Sequence, residues 1–134
     1  ATKLDADWFS LRINSIANAD INQSVVGKDN SPSMADALQI YLYLKSDKKP
    51  HAFATGATRN VDYLTEAIGN KPIASYTTID AGKFRDWLIA KGMITSSLRR
   101  VLSRIKAIVN LTISENDLHM KNPFANIFLP DIGS

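Results

Sequence analysis

Cysteine is absent from this sequence. That excludes disulfides, thiolate-bound zinc and thiol nucleophiles, and agrees with a reducing compartment. Histidine is nearly absent: only His51 and His119 occur. Neither has a ligand-type residue three or four positions further on, so no metal pair is expected and both read as ordinary surface residues. The six glycines are dispersed, so no loop is rich enough in glycine to cradle a phosphate. The carboxylates cluster nowhere, and no nucleophile stands beside a candidate base. No apolar run approaches the roughly 18 residues that a membrane span requires. The opening residues lack the charged segment and apolar block of a secretion signal. A start without methionine suggests an excised or processed fragment. The expectation is therefore a cytoplasmic chain that is not itself an enzyme, with no cofactor, metal, membrane or small-molecule substrate.

What is present is a globular composition. The 134 residues are 45% hydrophobic and 22% charged, the balance of one folded domain with a real core. The net charge is only +3, so an argument from charge must rest on where it sits. Residues 95–108 contain Arg99, Arg100, Arg104 and Lys106 and no acid. This one stretch carries +4, and everything else together carries −1.

At 100° per residue, the run 95–116 (TSSLRRVLSRIKAIVNLTISEN) places Leu98, Val101, Leu102, Ile105, Ile108, Val109, Thr112 and Ile113 in one stripe roughly 140° wide. Arg99, Arg100, Ser103, Arg104, Lys106 and Asn110 fall on the opposite side. A merely solvated helix face mixes signs, with acids supporting bases at i,i+4. Here the first acid is Glu115. The helix opens with Thr95, Ser96 and Ser97, good N-cap residues whose hydroxyls, with the free amides of a first turn, suit a phosphate. A basic, hydroxyl-rich start is what a helix docked on nucleic acid offers. Arg100 and Arg104 are expected in a groove, and Ser96, Ser97 and Lys106 on phosphates.

The rest of the chain reads as helices with almost no strand signal. A helix over 4–17 has two apolar edges, one of Leu4, Trp8 and Leu11 and one of Phe9, Ile13 and Ile16, and a polar linker follows over 18–32. A helix over 33–46, capped by Ser33 or Ser31, has its stripe of Met34, Leu38, Tyr41 and Leu42 widened by Ile40, Tyr43 and Leu44, so it is expected to be largely buried. The next helix spans 55–68, capped by Thr55 or Thr58, with Arg59 and Asn60 pointing outward from its first turn and Gly69 stopping it. Residues 73–76 read as an extended connector. A helix over 79–91 is capped by Thr77 or Thr78 with Asp80 assisting, has Phe84, Trp87 and Leu88 as core anchors, and stops at Gly92. Leu111 is expected exposed. After Asn122-Pro123-Phe124, Ile127, Phe128 and Leu129 offer an apolar patch.

Three segments in order, DYLTEAIGNKPIASYTTIDAGKFRDWLIAKG, SSLRRVLSRIKAIVN and NPFANIFLP, resemble the core-binding (SAM-like) domain of tyrosine recombinases, the phage-integrase family. The resemblance covers about 33–130. It implies an all-α fold: an orthogonal four-helix core-binding bundle, here with an extra N-terminal helix. The implied division is an N-terminal helical arm and linker over 1–32, the DNA-binding domain over 33–130, and the start of a linker to a catalytic domain over 131–134. The family's catalytic constellation, two arginines, a His-x-x-Arg motif and a tyrosine, is not in this sequence. What the resemblance implies is a DNA-clamping fragment acting in DNA integration and recombination, with double-stranded DNA of the recombination core site and other recombinase protomers in a synaptic complex as partners. Such a protein would be bacterial or prophage-encoded and DNA-associated. The expected DNA-contacting set is Arg59, Thr95, Ser96, Ser97, Arg99, Arg100, Ser103, Arg104 and Lys106. Two other readings stand beside it: a helix-turn-helix regulator using residues 84–108, and a helical protein-interaction module.

Overall fold

A computed structural model of the chain describes residues 31–133. The helix expected over 4–17 and the linker up to residue 30 lie outside the described residues. The order is α1 (Met34–Lys45), α2 (His51–Ala67), a 3-10 turn (Ile73–Ser75), α3 (Thr78–Ala90) and α4 (Thr95–Glu115). Among the described residues there is no strand, only an isolated bridge between Ser33 and Pro72. No helix among them is long and apolar enough to cross a membrane.

Two helix starts follow the same local chemistry. The Ser33 hydroxyl accepts from the Asp36 amide while the Asp36 carboxylate accepts from the Ser33 amide, closing α1 with a capping box. Thr77 and Asp80 do the same for α3. In each case two amides that a helix leaves unpaired find acceptors.

The start of α2 differs from expectation. It begins at His51, with Pro50 as N-cap and no side-chain cap, so Thr55 and Thr58 lie inside the helix. Proline has no N–H to lose, and its φ of −63° already suits a helix start. The earlier start moves Asn60 to mid-helix, where it shares the inward face with Ala57, Val61 and Leu64 and is buried. The connector over 73–76 is likewise a 3-10 turn rather than extended chain. Pro32 O accepts from Ile73 N (2.7 Å) and Lys71 O from Met34 N (3.0 Å), so this turn is fastened to the entry of α1. Gly69 (φ +116°) and Gly92 (φ +96°) end α2 and α3 in backbone conformations that a Cβ disfavours.

α4 packs against each of the other three helices. Its buried residues are Leu98, Val101, Leu102, Ile105, Ile108, Val109 and Thr112, the expected stripe, with Ile113 half-buried. Thr112 donates its hydroxyl to Ile108 O (2.9 Å), which makes its burial tolerable. Phe84, Leu88, Met34, Leu64 and Ile73 are fully buried around it, each contributing about 1.5–3 kcal/mol of apolar transfer.

Three expectations about exposure need correction. Trp87 is only half-buried; it leans on Phe84 and Tyr63, and Lys91 Nζ sits 4.8 Å from its ring centroid. Tyr43 and Leu44, in the last turn of α1, are 38% and 39% exposed. Leu111 is half-buried and packs on the core rather than standing in solvent.

After α4 the chain turns back and forms a strap along one flank of that helix. Asn122 Nδ2 donates to Lys106 O (2.9 Å) and Asn110 Oδ1 (2.8 Å). Phe124 is buried against the Tyr76 ring, 6.0 Å between centroids. The strap reaches the start of α4 at residues 130–132, where Thr95 Oγ1 donates to Pro130 O (2.7 Å) and accepts from Ile132 N (2.6 Å).

Candidate nucleic-acid interface

The outer face of α4 is positioned by its buried face. Seven inward residues lock the rotation of the helix, so Ser96, Arg99, Arg100, Ser103 and Lys106 emerge exposed on the other side. The ion pairs among the described residues are Lys71–Asp80 (2.9 Å) and Arg85–Asp86 (2.9 Å). Arg99, Arg100, Arg104 and Lys106 therefore have no carboxylate partner among the described residues. α4 also has no acid in its first turn, unlike α1 and α3. Cations that their own fold leaves unneutralised keep their full attraction for an outside anion.

The expected set divides. Arg99, Arg100 and Ser103 share the exposed ridge with Ser96, and Lys106 stands beside them near the strap. Ser97 is half-buried on the far edge. Thr95 belongs elsewhere: Ile94 is the N-cap, and the Thr95 hydroxyl is held by the Pro130 and Ile132 backbone. It clasps the strap to the start of α4.

Arg104 is also not free. Its guanidinium carbon lies 5.2 Å from the Phe53 ring centroid, and Nη1 donates to Phe53 O at 3.4 Å. Phe53 stacks in turn on Tyr41 (5.6 Å, 18°). The approach passes over Gly56, where an added Cβ would stand 3.4 Å from Nη1. Burial pushes the Tyr41 hydroxyl above its ordinary value, with the Arg104 charge pulling against it. Arg104 thus ties α4 to α2 and lends its charge to the edge of the ridge, whereas the wheel placed it with Arg100.

Arg59 is exposed, but mid-helix on the outer side of α2. It borders a shallow depression with His51, Thr55, Thr58 and Asp62, all from α2. The fold does not bring it onto the α4 ridge.

Sequence reasoning missed the contribution of the strap. Between it and α4 lies a small depression of about 130 Å³, rimmed by Arg99, Ser103 and Lys106 and floored by Phe124, Ile127 and Leu129. On its other side, toward α3, a larger groove holds Arg85, Lys121, Asn126 and Phe128. Asn122-Pro123-Phe124 reads as a break; that it folds back onto α4 depends on contacts with Lys106 and Asn110, which periodicity does not encode.

The chemistry available is donor chemistry. Guanidinium and ammonium groups attract phosphate without regard to sequence, and arginine can also pair with a guanine edge. Serine hydroxyls beside them suit phosphate oxygens. The charged side chains on the ridge are all cationic, and the one acid of α4, Glu115, lies at its far end. No family model, curated protein or solved structure matches this chain.

Proposed function

We propose that this chain is the DNA-clamping, core-binding module of a tyrosine recombinase, which holds duplex DNA on the outer face of α4 and leaves cleavage to another part of its parent protein. The observation that carries the reading is the α4 ridge, whose cations lack carboxylate partners among the described residues. The resemblance over 33–130 supplies the family. In this reading Arg99 and Arg100 enter or border the major groove, Ser96 and Lys106 hold phosphates, and Arg104 fixes the helix against α2. The partners are the recombination core site and further protomers in a synaptic complex, in the cytoplasm of a bacterium.

A second reading, a helix-turn-helix regulator, has one observation in its favour. Only residues 91–94 separate α3 from α4, with the turn at Gly92. Both readings put α4 on DNA. The parent reading frame separates them, since only a recombinase continues into an Arg…His-x-x-Arg…Tyr segment.

The test is a titration with duplex DNA across salt concentrations. Three to four phosphate contacts give a log–log slope of about −3 to −4 and affinity that is micromolar or weaker at physiological salt. Binding that does not change with salt overturns the proposal.

A further inference from the structure

The groove between α3 and the strap has a volume of about 780 Å³, room for a nucleotide. Its lining includes two cations, Arg85 and Lys121, the amides of Asn110 and Asn126, and Phe128, and contains no carboxylate. Phe128 is 74% exposed, although a phenyl ring gains by burial. Its backbone is nonetheless held: Arg85 Nη1 donates to Phe128 O (3.3 Å), and Asp86 Oδ1 accepts from Arg85 Nε (2.9 Å). The guanidinium is thus tied to the Phe128 backbone, and both residues line the groove. On α3 the wall is glycine: Gly82 interrupts the helix interior, and a Cβ there would stand 3.7 Å from Arg85 Nη2. A glycine inside a helix is less stable there than alanine, and here it leaves room for the Arg85 guanidinium beside the backbone. Neither Lys121 nor Asn126 has a side-chain partner among the described residues.

An accessible aromatic face, a guanidinium and amide edges together are the chemistry that stacks an unpaired base and bonds its rim. The same strap residues, Ala125 and Ile127, line this groove and the depression beside Arg99, Ser103 and Lys106. A strand whose phosphates lie on α4 therefore meets the groove on crossing the strap. A base stacked within a duplex has both faces covered by its neighbours, so only an unstacked base offers a face to Phe128. We infer that the groove takes an unpaired base of the bound DNA, with Phe128 stacking on it, Arg85 and Asn126 at its edge and Lys121 on the adjacent phosphate. The inference rests on the DNA reading above and adds to it a preference for DNA carrying an unstacked nucleotide.

The experiment is a fluorescence-anisotropy titration, at one fixed low salt, of a fully paired duplex and the same duplex with one unpaired adenine. Wild type should bind the bulged duplex roughly tenfold more tightly, the effect of one base–aromatic stack. Phe128→Ala should abolish that preference while keeping paired-duplex affinity within about twofold. Gly82→Leu, which fills the groove from α3, should do the same, and Arg100→Ala should weaken both duplexes alike. Melting curves of the Phe128 variant should match the parent, since the ring is exposed. Equal binding of both duplexes by wild type, or a preference that survives Phe128→Ala, overturns the inference and leaves the DNA reading intact. If neither duplex binds, the DNA reading itself falls. A dimer that Phe128→Ala converts to monomer, with bulge preference unchanged, makes the ring a protein contact and also overturns the inference.

Discussion

α3 and α4 adjoin across the turn at Gly92, yet they treat charge in opposite ways. α3 mixes acids with bases, and several of its charges have partners. Its first turn is sealed by Thr77 and Asp80, its Arg85 is paired with Asp86, and its trailing Lys91 lies over Trp87. α4 starts at Ile94 without a side-chain cap, has no acid in its first turn, and presents Arg99, Arg100 and Lys106 with no carboxylate partner among the described residues. The stability of α4 comes from the stripe it buries, so its outer face contributes little to folding and is available to something else. α3 mixes signs along its length, whereas α4 keeps a face of one sign open, and that face is the one proposed to meet DNA.

The largest expected effect tests the shared core behind both helices. Phe84→Ala should lower stability by about 3–5 kcal/mol in urea melts, since the ring is fully buried between α3 and its neighbours. Trp87→Ala should cost less, about 2 kcal/mol, because the indole is half-exposed and loses contacts with Phe84, Tyr63 and Lys91. If the two variants melt alike, Trp87 is a deeper anchor than its exposure indicates.

The caps sharpen the contrast. Thr77→Ala should cost about 1 kcal/mol, whereas Ser96→Ala, in an uncapped first turn, should stay within about 0.5 kcal/mol. Asp80 adds a pH dependence. Burial pushes its carboxyl up, but hydrogen bonds from Lys71 and Thr77, with the Lys71 charge, outweigh this and hold it below the ordinary value of 3.8. A carboxyl that is more acidic when folded stabilises the fold above its unfolded pKa, and the contribution is lost as pH falls through the lower folded value. Asp80→Asn should therefore flatten the acid limb of stability against pH, and an unchanged limb would remove Asp80 from the account.

The smallest effect separates two arginines that look equivalent on a helical wheel. Arg104→Ala should lower stability by about 0.5–1 kcal/mol, since its guanidinium packs on Phe53. Arg100→Ala should stay within about 0.5 kcal/mol. Equal effects in thermal melts would put Arg104 back on the open ridge.

These cases also show which parts were legible in the sequence. The inward stripe of α4 and the Thr77–Asp80 cap were, because both are local: one is a period of 3.6 residues, the other a contact at three residues' separation. The start of α2 was not, since Thr55 and Thr58 are better cap residues than Pro50 in isolation, and the packing of Phe53 against Tyr41 and under Arg104 joins residues far apart in the chain. That Thr95 is engaged by the strap was hidden for a similar reason. Its partners lie 35 and 37 residues away, beyond any pattern read along the chain. The ridge was read as a set of residue types, but its division into free, clasping and packed members depends on where α2 and the strap pass.

The central claim is that the α4 ridge binds duplex DNA and is dispensable for folding. Its most direct test is a double variant, Arg99→Ala with Arg100→Ala, titrated against duplex DNA at two salt concentrations and melted in parallel. The expected result is melting like that of the parent, affinity lower by about tenfold or more at low salt, and a log–log salt slope shallower by about two. Unchanged affinity together with unchanged melting would contradict the claim and leave the ridge a solvated face.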